Sequence, residues 1–254
     1  LSRFWVFVYV TLHFCETHPR YRRNSQIAGG APTTIEAYPT IVALLYTWNW
    51  FNYLQACGGT ILNNRSILTA ARCPRNDPAN RWRVRIGSSM ANVGGNIITF
   101  ERLIVHPDFD LDSYINDIAI LRTSRPIDYS NVATPASIAG PNYINPEKTI
   151  TISTEQIWGS SSEQLRHVQI LAINHAICSS RYASRGITIT NNMFCSGWLD
   201  IGGRDACRGD YGGPIYHSGT VVGIISFNNG CASPHFPSVN TRVSNYTSWI
   251  QANA

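Results

Sequence analysis

Short runs of alternating apolar and polar positions dominate the chain. Thr40–Tyr46, Thr60–Thr69, Trp82–Ile86, Ile97–Val105, Asp117–Arg122, His167–Ile173 and Thr220–Phe227 are rich in β-branched or aromatic residues. Clusters of Gly, Pro and Asn separate them, with turn signals recurring about every ten residues, which predicts an all-β barrel or sandwich. Arg81-Trp82-Arg83-Val84-Arg85 alternates strictly. It reads as a strand with arginines on its wet face rather than as a polyanion-binding patch. Only Ser244–Ala254 reads as an amphipathic helix, with Tyr246, Trp249 and Ile250 on one side. The Pro- and Gly-rich stretch Pro135–Pro146 marks a mid-chain boundary.

Composition narrows this picture. The 254 residues are 14% charged, against about 25% in ordinary globular chains. Coiled coils, charged disordered chains and helical repeats are thereby excluded. No run of about 18 apolar residues predicts a membrane span. The net charge of +5 comes from 20 basic and 15 acidic residues, and Lys148 is the single lysine. Arg3, Arg20, Arg22 and Arg23 stand against Glu16 alone in the first 25 residues, so the excess belongs mostly to the leader. Phe4–Phe14 follows Arg3 as a short apolar run that fits the core of a secretory signal. Residues 1–16 are therefore expected to be a signal peptide and 17–26 a propeptide-like segment. Export implies an oxidising compartment. Cys15 would leave with the leader, so Cys57, Cys73, Cys178, Cys195, Cys207 and Cys231 remain of the 7 cysteines. Six cysteines admit about 15 pairings, and spacing alone does not choose among them. No Cys/His spacing suggests zinc. Asn64-Arg65-Ser66 and Asn245-Tyr246-Thr247 are glycosylation sequons.

Four motifs fall in a telling order. Ile27-Ala28-Gly29-Gly30 follows the basic leader, and Cys57-Gly58-Gly59-Thr60 leads to Leu68-Thr69-Ala70-Ala71-Arg72-Cys73. Asn116-Asp117-Ile118-Ala119-Ile120-Leu121 comes next, then Asp205-Ala206-Cys207-Arg208-Gly209-Asp210-Tyr211-Gly212-Gly213-Pro214. Residues 27–254 thus resemble the trypsin-like serine proteases of the chymotrypsin fold. Arg81–Ser88 and Ser160–Gln169 resemble insect, particularly moth, trypsins. The resemblance implies two packed six-stranded antiparallel β-barrels, about 27–137 and 138–240, and a C-terminal helix at 241–254. It also implies disulfides 57–73, 178–195 and 207–231.

The resemblance further implies a serine nucleophile, a histidine base and an orienting aspartate. Asp117 keeps the aspartate. Arg72 stands at the histidine position and Tyr211 at the serine position. Arginine stays protonated and cannot act as a base, and a phenol with a pKa near 10 has no activating partner. The chain is therefore expected to be a secreted, catalytically inactive homologue. It would act by binding or regulating proteases or ligands: an active protease, a protease inhibitor or another secreted protein. The alternatives are an active trypsin-like endopeptidase cleaving after Arg or Lys, and a secreted storage or structural protein. It would be a monomer with no membrane anchor and no nucleic-acid partner.

Finer expectations follow from the same resemblance. The oxyanion hole would use the N–H groups of Gly209 and Tyr211. Activation would involve Gln26, Ile27 and Asp210. Gln26 replaces the basic residue before the usual cut, so a zymogen-like state is expected. Asp205, Phe227, Asn228 and Ser238 would line the specificity pocket, with Asn228 and Ser238 narrowing it and hydrogen-bonding Asp205. Arg72 is expected to pair with Asp117 as a buried salt bridge, with Ser226 beside it. Ile157–Ser160 departs from the family's loop. No cofactor and no metal is expected, since Ser88–Phe100 contains no Asp or Glu.

Overall fold

The computed structural model of the chain describes residues 28–143, 148–153 and 164–254. The expectations for the signal, the propeptide-like segment, Gln26, Ile27 and Ile157–Ser160 lie outside them. In chain order the strands are β1 (Ala31–Pro32), β2 (Ile41–Thr47), β3 (Tyr53–Asn63), β4 (Ser66–Thr69), β5 (Trp82–Ile86), β6 (Asn96–Val105) and β7 (Ala119–Thr123). Then follow β8 (Ser137–Ile138), β9 (Lys148–Ser153), β10 (Arg166–Ile173), helix α1 (His175–Ala183), β11 (Met193–Gly197), β12 (Pro214–His217), β13 (Thr220–Phe227), β14 (Ser238–Arg242) and helix α2 (Thr247–Asn253).

Strands β2-β3-β4-β7-β6-β5 close a six-stranded antiparallel barrel. The second sheet runs β10-β11-β14-β13-β12-β9, and β9 pairs back onto β10, so it curls round on itself. Strands β1 and β8 attach outside that ring, to β10 and β13. Alternation explains β5: Trp82, Val84 and Ile86 face the core while Arg83 and Arg85 reach outward. Arg83 stacks on Tyr53, and Arg85 donates to the carbonyls of Ala91 and Asn92. One apolar core continues from Ile41, Leu44, Ile67 and Ile120 of the first barrel into Tyr216, Ile224 and Ile250.

Three local details differ from the sequence pattern. The run Thr60–Thr69 is a hairpin, because Asn63 Oδ1 accepts from the Arg65 N–H at 2.8 Å and turns the chain between β3 and β4. Helix α1 is capped by Asn174, whose side chain accepts from the Ala176 and Ile177 N–H groups, and it buries Cys178 and Tyr182. The C-terminal helix expected at 241–254 begins only at Thr247. Residues up to Arg242 belong to β14, and Val243–Tyr246 form a 3-10 turn that buries Val243, Ser244 and Tyr246. The Tyr246 hydroxyl donates to Asn116 Oδ1 at 2.7 Å, which holds that turn against the first barrel.

The pairs Cys57–Cys73, Cys178–Cys195 and Cys207–Cys231 are disulfide-bonded, as the resemblance implied. Each closes a loop worth roughly 3 kcal/mol in the chain-entropy account. The barrels interlock at glycines. Gly58 N–H donates to the Tyr211 carbonyl at 2.8 Å. Gly212 has φ +82°, and a Cβ there would lie 2.1 Å from Thr69 Oγ1 and 2.6 Å from Gly58 O. Strain in the left-handed backbone costs about 1–2 kcal/mol for a non-glycine, and the contact with backbone adds to it. Gly212→Ala is therefore expected to lower stability by on the order of 3 kcal/mol, read as a lower urea midpoint at an unchanged slope. An unchanged midpoint would show that this seam yields.

Candidate active site

Asp117 is fully buried just before β7. Its carboxylate accepts from the Arg72 backbone N–H at 2.7 Å and from Ser226 Oγ at 2.6 Å. Thr241 Oγ1 donates to its carbonyl at 2.8 Å. Burial pushes this carboxyl up to about 6, while Ser226, the Arg72 amide and the Arg72 charge pull it down. The expected Arg72–Asp117 salt bridge is not formed. The carboxylate is occupied by the Arg72 main chain and Ser226, and the guanidinium turns away.

The Arg72 guanidinium lies between two phenol rings. Its Cζ is 4.4 Å from the Tyr114 centroid and 4.1 Å from the Tyr211 centroid, and Nη1 donates to the Ser226 carbonyl at 2.6 Å. Each cation–π contact contributes about 0.5–2 kcal/mol depending on desolvation. Tyr114 has φ +55° and Asn116 φ +57°, and this kinked backbone brings the Tyr114 ring over the cleft. Burial raises the Tyr211 pKa against the pull of Arg72 and Arg208. A phenol held protonated above its ordinary range is a poor nucleophile near neutrality. Its hydroxyl points at Asn228 Oδ1, 3.4 Å away. Gly209 has φ +94°, and among the described residues neither the Gly209 nor the Tyr211 N–H donates a hydrogen bond.

Asp205 is 1% exposed, and its two oxygens accept from the Ala206 N–H at 2.9 Å and the Ala232 N–H at 3.1 Å. Burial pushes it up to about 7, only partly offset by those amides and the nearby Ser238 hydroxyl, which does not reach the hydrogen-bond geometry with Asp205 that was expected. Asn228 does not bond Asp205 as expected. Its Nδ2 donates to the Ala206 carbonyl at 3.0 Å, while the Asp205 oxygens already accept two backbone N–H groups. A cavity of about 720 Å³ lies above, lined by Arg72, Tyr211, Phe227 and Asn228 but not by Asp205 or Ser238. Sequence reasoning missed several of its lining residues, among them Tyr114, Arg185 and Arg208. Arg208 adjoins a motif cysteine, so its position was readable, whereas Tyr114 and Arg185 depend on loop conformation.

Asp210 is 2% exposed, with Oδ2 accepting the Cys207 N–H at 2.7 Å. Ala28 pairs with Asp205 through N–H···O contacts of 3.1 and 3.3 Å, so the segment after Ile27 docks on the 205–210 loop. Asn64 is exposed at the β3–β4 turn. Asn245 is exposed too, though its Nδ2 donates to Asn191 O and Asn192 Oδ1. Among the described residues no three His, Cys, Asp or Glu side chains converge as metal ligands, and no helix is long and apolar enough to cross a membrane.

Comparison with known proteins gives this cleft its context. The family model described as Trypsin matches residues 27–250. The chain is 53% identical over 235 residues to "Trypsin, alkaline C" of Manduca sexta, covering 90% of this chain and 91% of that one. It is 51% identical to "Trypsin CFT-1" of Choristoneura fumiferana, over 91% and 92% of the two chains. "Achelase-1" of Lonomia achelous matches at 44%, over 90% of this chain and 100% of its own. These relatives correct one expectation. The two at about half identity over nine-tenths of the chain are named trypsins, which points to an enzyme rather than to the non-enzyme expected from Arg72 and Tyr211.

The two buried carboxyls set a pH dependence. Both keep their protons to higher pH folded than unfolded. The folded chain therefore binds more protons between about pH 4 and 7, and stability falls as pH rises through that window. Lowered pKa values at the fully solvated Glu36 and Asp110 act in the opposite sense but at the surface. Asp205→Asn is expected to flatten the slope by on the order of 3 kcal/mol across the window, measured by urea unfolding at several pH values. Parallel native and variant curves would show that Asp205 is ionised alike in both states.

Proposed function

Because the chain belongs to the trypsin family, we propose that it is a secreted trypsin-like protein that receives peptide segments in the cleft between its barrels. Peptide-bond hydrolysis is the activity toward which its relatives point. The observation that carries this reading is the retained frame of the cleft: Asp117 bound to Ser226, the free Gly209 and Tyr211 N–H groups, and Asp205 beneath. Such a frame can hold an extended backbone and stabilise a developing oxyanion.

Hydrolysis itself turns on two positions. Among the described residues no histidine hydrogen-bonds Asp117, and the hydroxyl near the oxyanion N–H groups is the raised phenol of Tyr211. Loss of a serine or histidine from such a triad costs on the order of 10⁶ in rate, and the losses do not add. A second reading, binding or regulation of a protease or other secreted ligand, is favoured by the Tyr114–Arg72–Tyr211 stack. All three residues of that stack line the cavity a peptide would enter.

The two readings separate in one assay. Cleavage of a peptide with one internal arginine is measured for the native chain and for the Arg72→His/Tyr211→Ser double variant. On the hydrolytic reading the native chain cleaves the peptide with measurable kcat/KM, and the double variant sets the scale of a restored triad. Native turnover equal to that of the variant would remove the objection from Arg72 and Tyr211 and leave proteolysis as the sole reading. Saturable peptide binding with negligible native turnover would favour the second.

A further inference from the structure

The cleft carries the opposite charge to the one its family resemblance suggests. Arg72, Arg185 and Arg208 all line the 720 Å³ cavity, together with Tyr114, Tyr211 and Asn228, and no Asp or Glu is among its lining residues. Salt bridges among the described residues engage Arg65, Arg125 and Arg181, and none of these three arginines. Arg185 rests on the Phe236 ring at 5.1 Å, and Arg208 has no hydrogen-bond or ion-pair partner among the described residues. Arg72 uses one of its five side-chain donors, toward Ser226 O.

The negative groups nearby are withdrawn from the cavity. Asp117 is fully buried with both oxygens hydrogen-bonded, and Asp205 at 1% exposure spends its oxygens on two backbone N–H groups. Neither lines the cavity. A lysine or arginine side chain entering here would meet guanidinium groups before any carboxylate. A carboxylate entering would meet three guanidinium groups, two of them resting on aromatic rings. It would also meet the Gly209 and Tyr211 N–H groups, which have no acceptor among the described residues. Guanidinium groups and convergent main-chain N–H groups both favour carboxylates, the first through bidentate geometry and the second as an anion-binding concavity.

We propose that the cleft recognises acidic peptide segments, seating a glutamate or aspartate side chain among Arg72, Arg185 and Arg208. This deepens the peptide-receiving role above and rests on it. The Tyr114 and Tyr211 rings then provide flat walls for the neighbouring backbone, and the cavity is large enough for one side chain and its flanking residues.

The test is fluorescence polarisation on the full chain with labelled octapeptides, acetylated and amidated so that no terminal charge competes. They carry Glu, Gln or Lys at one central position and are otherwise alike. The Glu peptide is expected to bind about tenfold tighter than the Gln peptide, and the Lys peptide weakest. The Glu advantage should shrink as ionic strength rises from about 50 to about 300 mM. Arg185→Glu/Arg208→Glu changes two exposed side chains and should invert the order in favour of Lys, with thermal melting confirming that the variant is folded. Should that variant not fold, the Glu, Gln and Lys order and its salt response on the native chain decide alone. A Lys peptide bound as tightly as the Glu peptide overturns the acidic preference and leaves the peptide-receiving cleft standing. A Glu preference that survives in the folded double variant also overturns it, by placing the carboxylate elsewhere. Failure of all three peptides to bind removes both the preference and the peptide-receiving role.

Discussion

Asp117 lies fully buried where the two barrels meet, and its carboxylate must be hydrogen-bonded from both sides to remain there. One donor is the Arg72 main chain from the first barrel, and the other is Ser226 from the second. Thr241 of the second barrel ties down its carbonyl as well. A buried carboxylate left without such donors would cost several kcal/mol. This requirement fixes the backbone of residue 72 and the rim of β13 relative to one another. Whatever side chain stands at 72 or 211 then has to fit a cleft whose walls are already placed.

That constraint explains why arginine at 72 does not form the ion pair its charge suggests. The carboxylate lone pairs facing residue 72 already accept its own N–H. A guanidinium bent back toward them would have to displace the Ser226 hydroxyl and bury its full width. Turning outward costs less, because Tyr114 and Tyr211 offer two π faces and the Ser226 carbonyl offers an acceptor. The guanidinium charge still acts on Asp117 through space, and helps hold its carboxyl below where burial alone would push it.

The strands were legible from their residue pattern, since β5 and β13 fall where β-branched and aromatic residues alternate or run together, whereas their arrangement as two barrels came from the resemblance. The disulfides were legible only through the resemblance, because six cysteines by themselves leave every pairing open. Helix α1 was not legible: its nine residues present only Cys178 and Tyr182 to the core, too few for an apolar stripe to show. The late start of α2 was hidden as well, because the buried Val243 and Tyr246 that look like a helix face instead seat a tighter turn. In the cleft, the triad positions could be read from their neighbours. The direction in which Arg72 points could not, since it depends on Tyr114, whose left-handed backbone has no sequence marker in a non-glycine residue.

The two departures from the family pattern are physically one feature. Tyr211 without Arg72 would place a phenol ring over an empty trough beside Asp117, and Arg72 without Tyr211 would lose one of the two faces that hold it. Each contact alone is worth about 1 kcal/mol, but together they decide where a cation sits. The family's usual imidazole would be neutral for part of the time near pH 7, whereas arginine is charged throughout. Arginine at this position therefore places a fixed positive charge at the floor of the cleft. Asp205 is buried outside the cavity lining, so no opposing carboxylate stands at the surface of the cavity to cancel it.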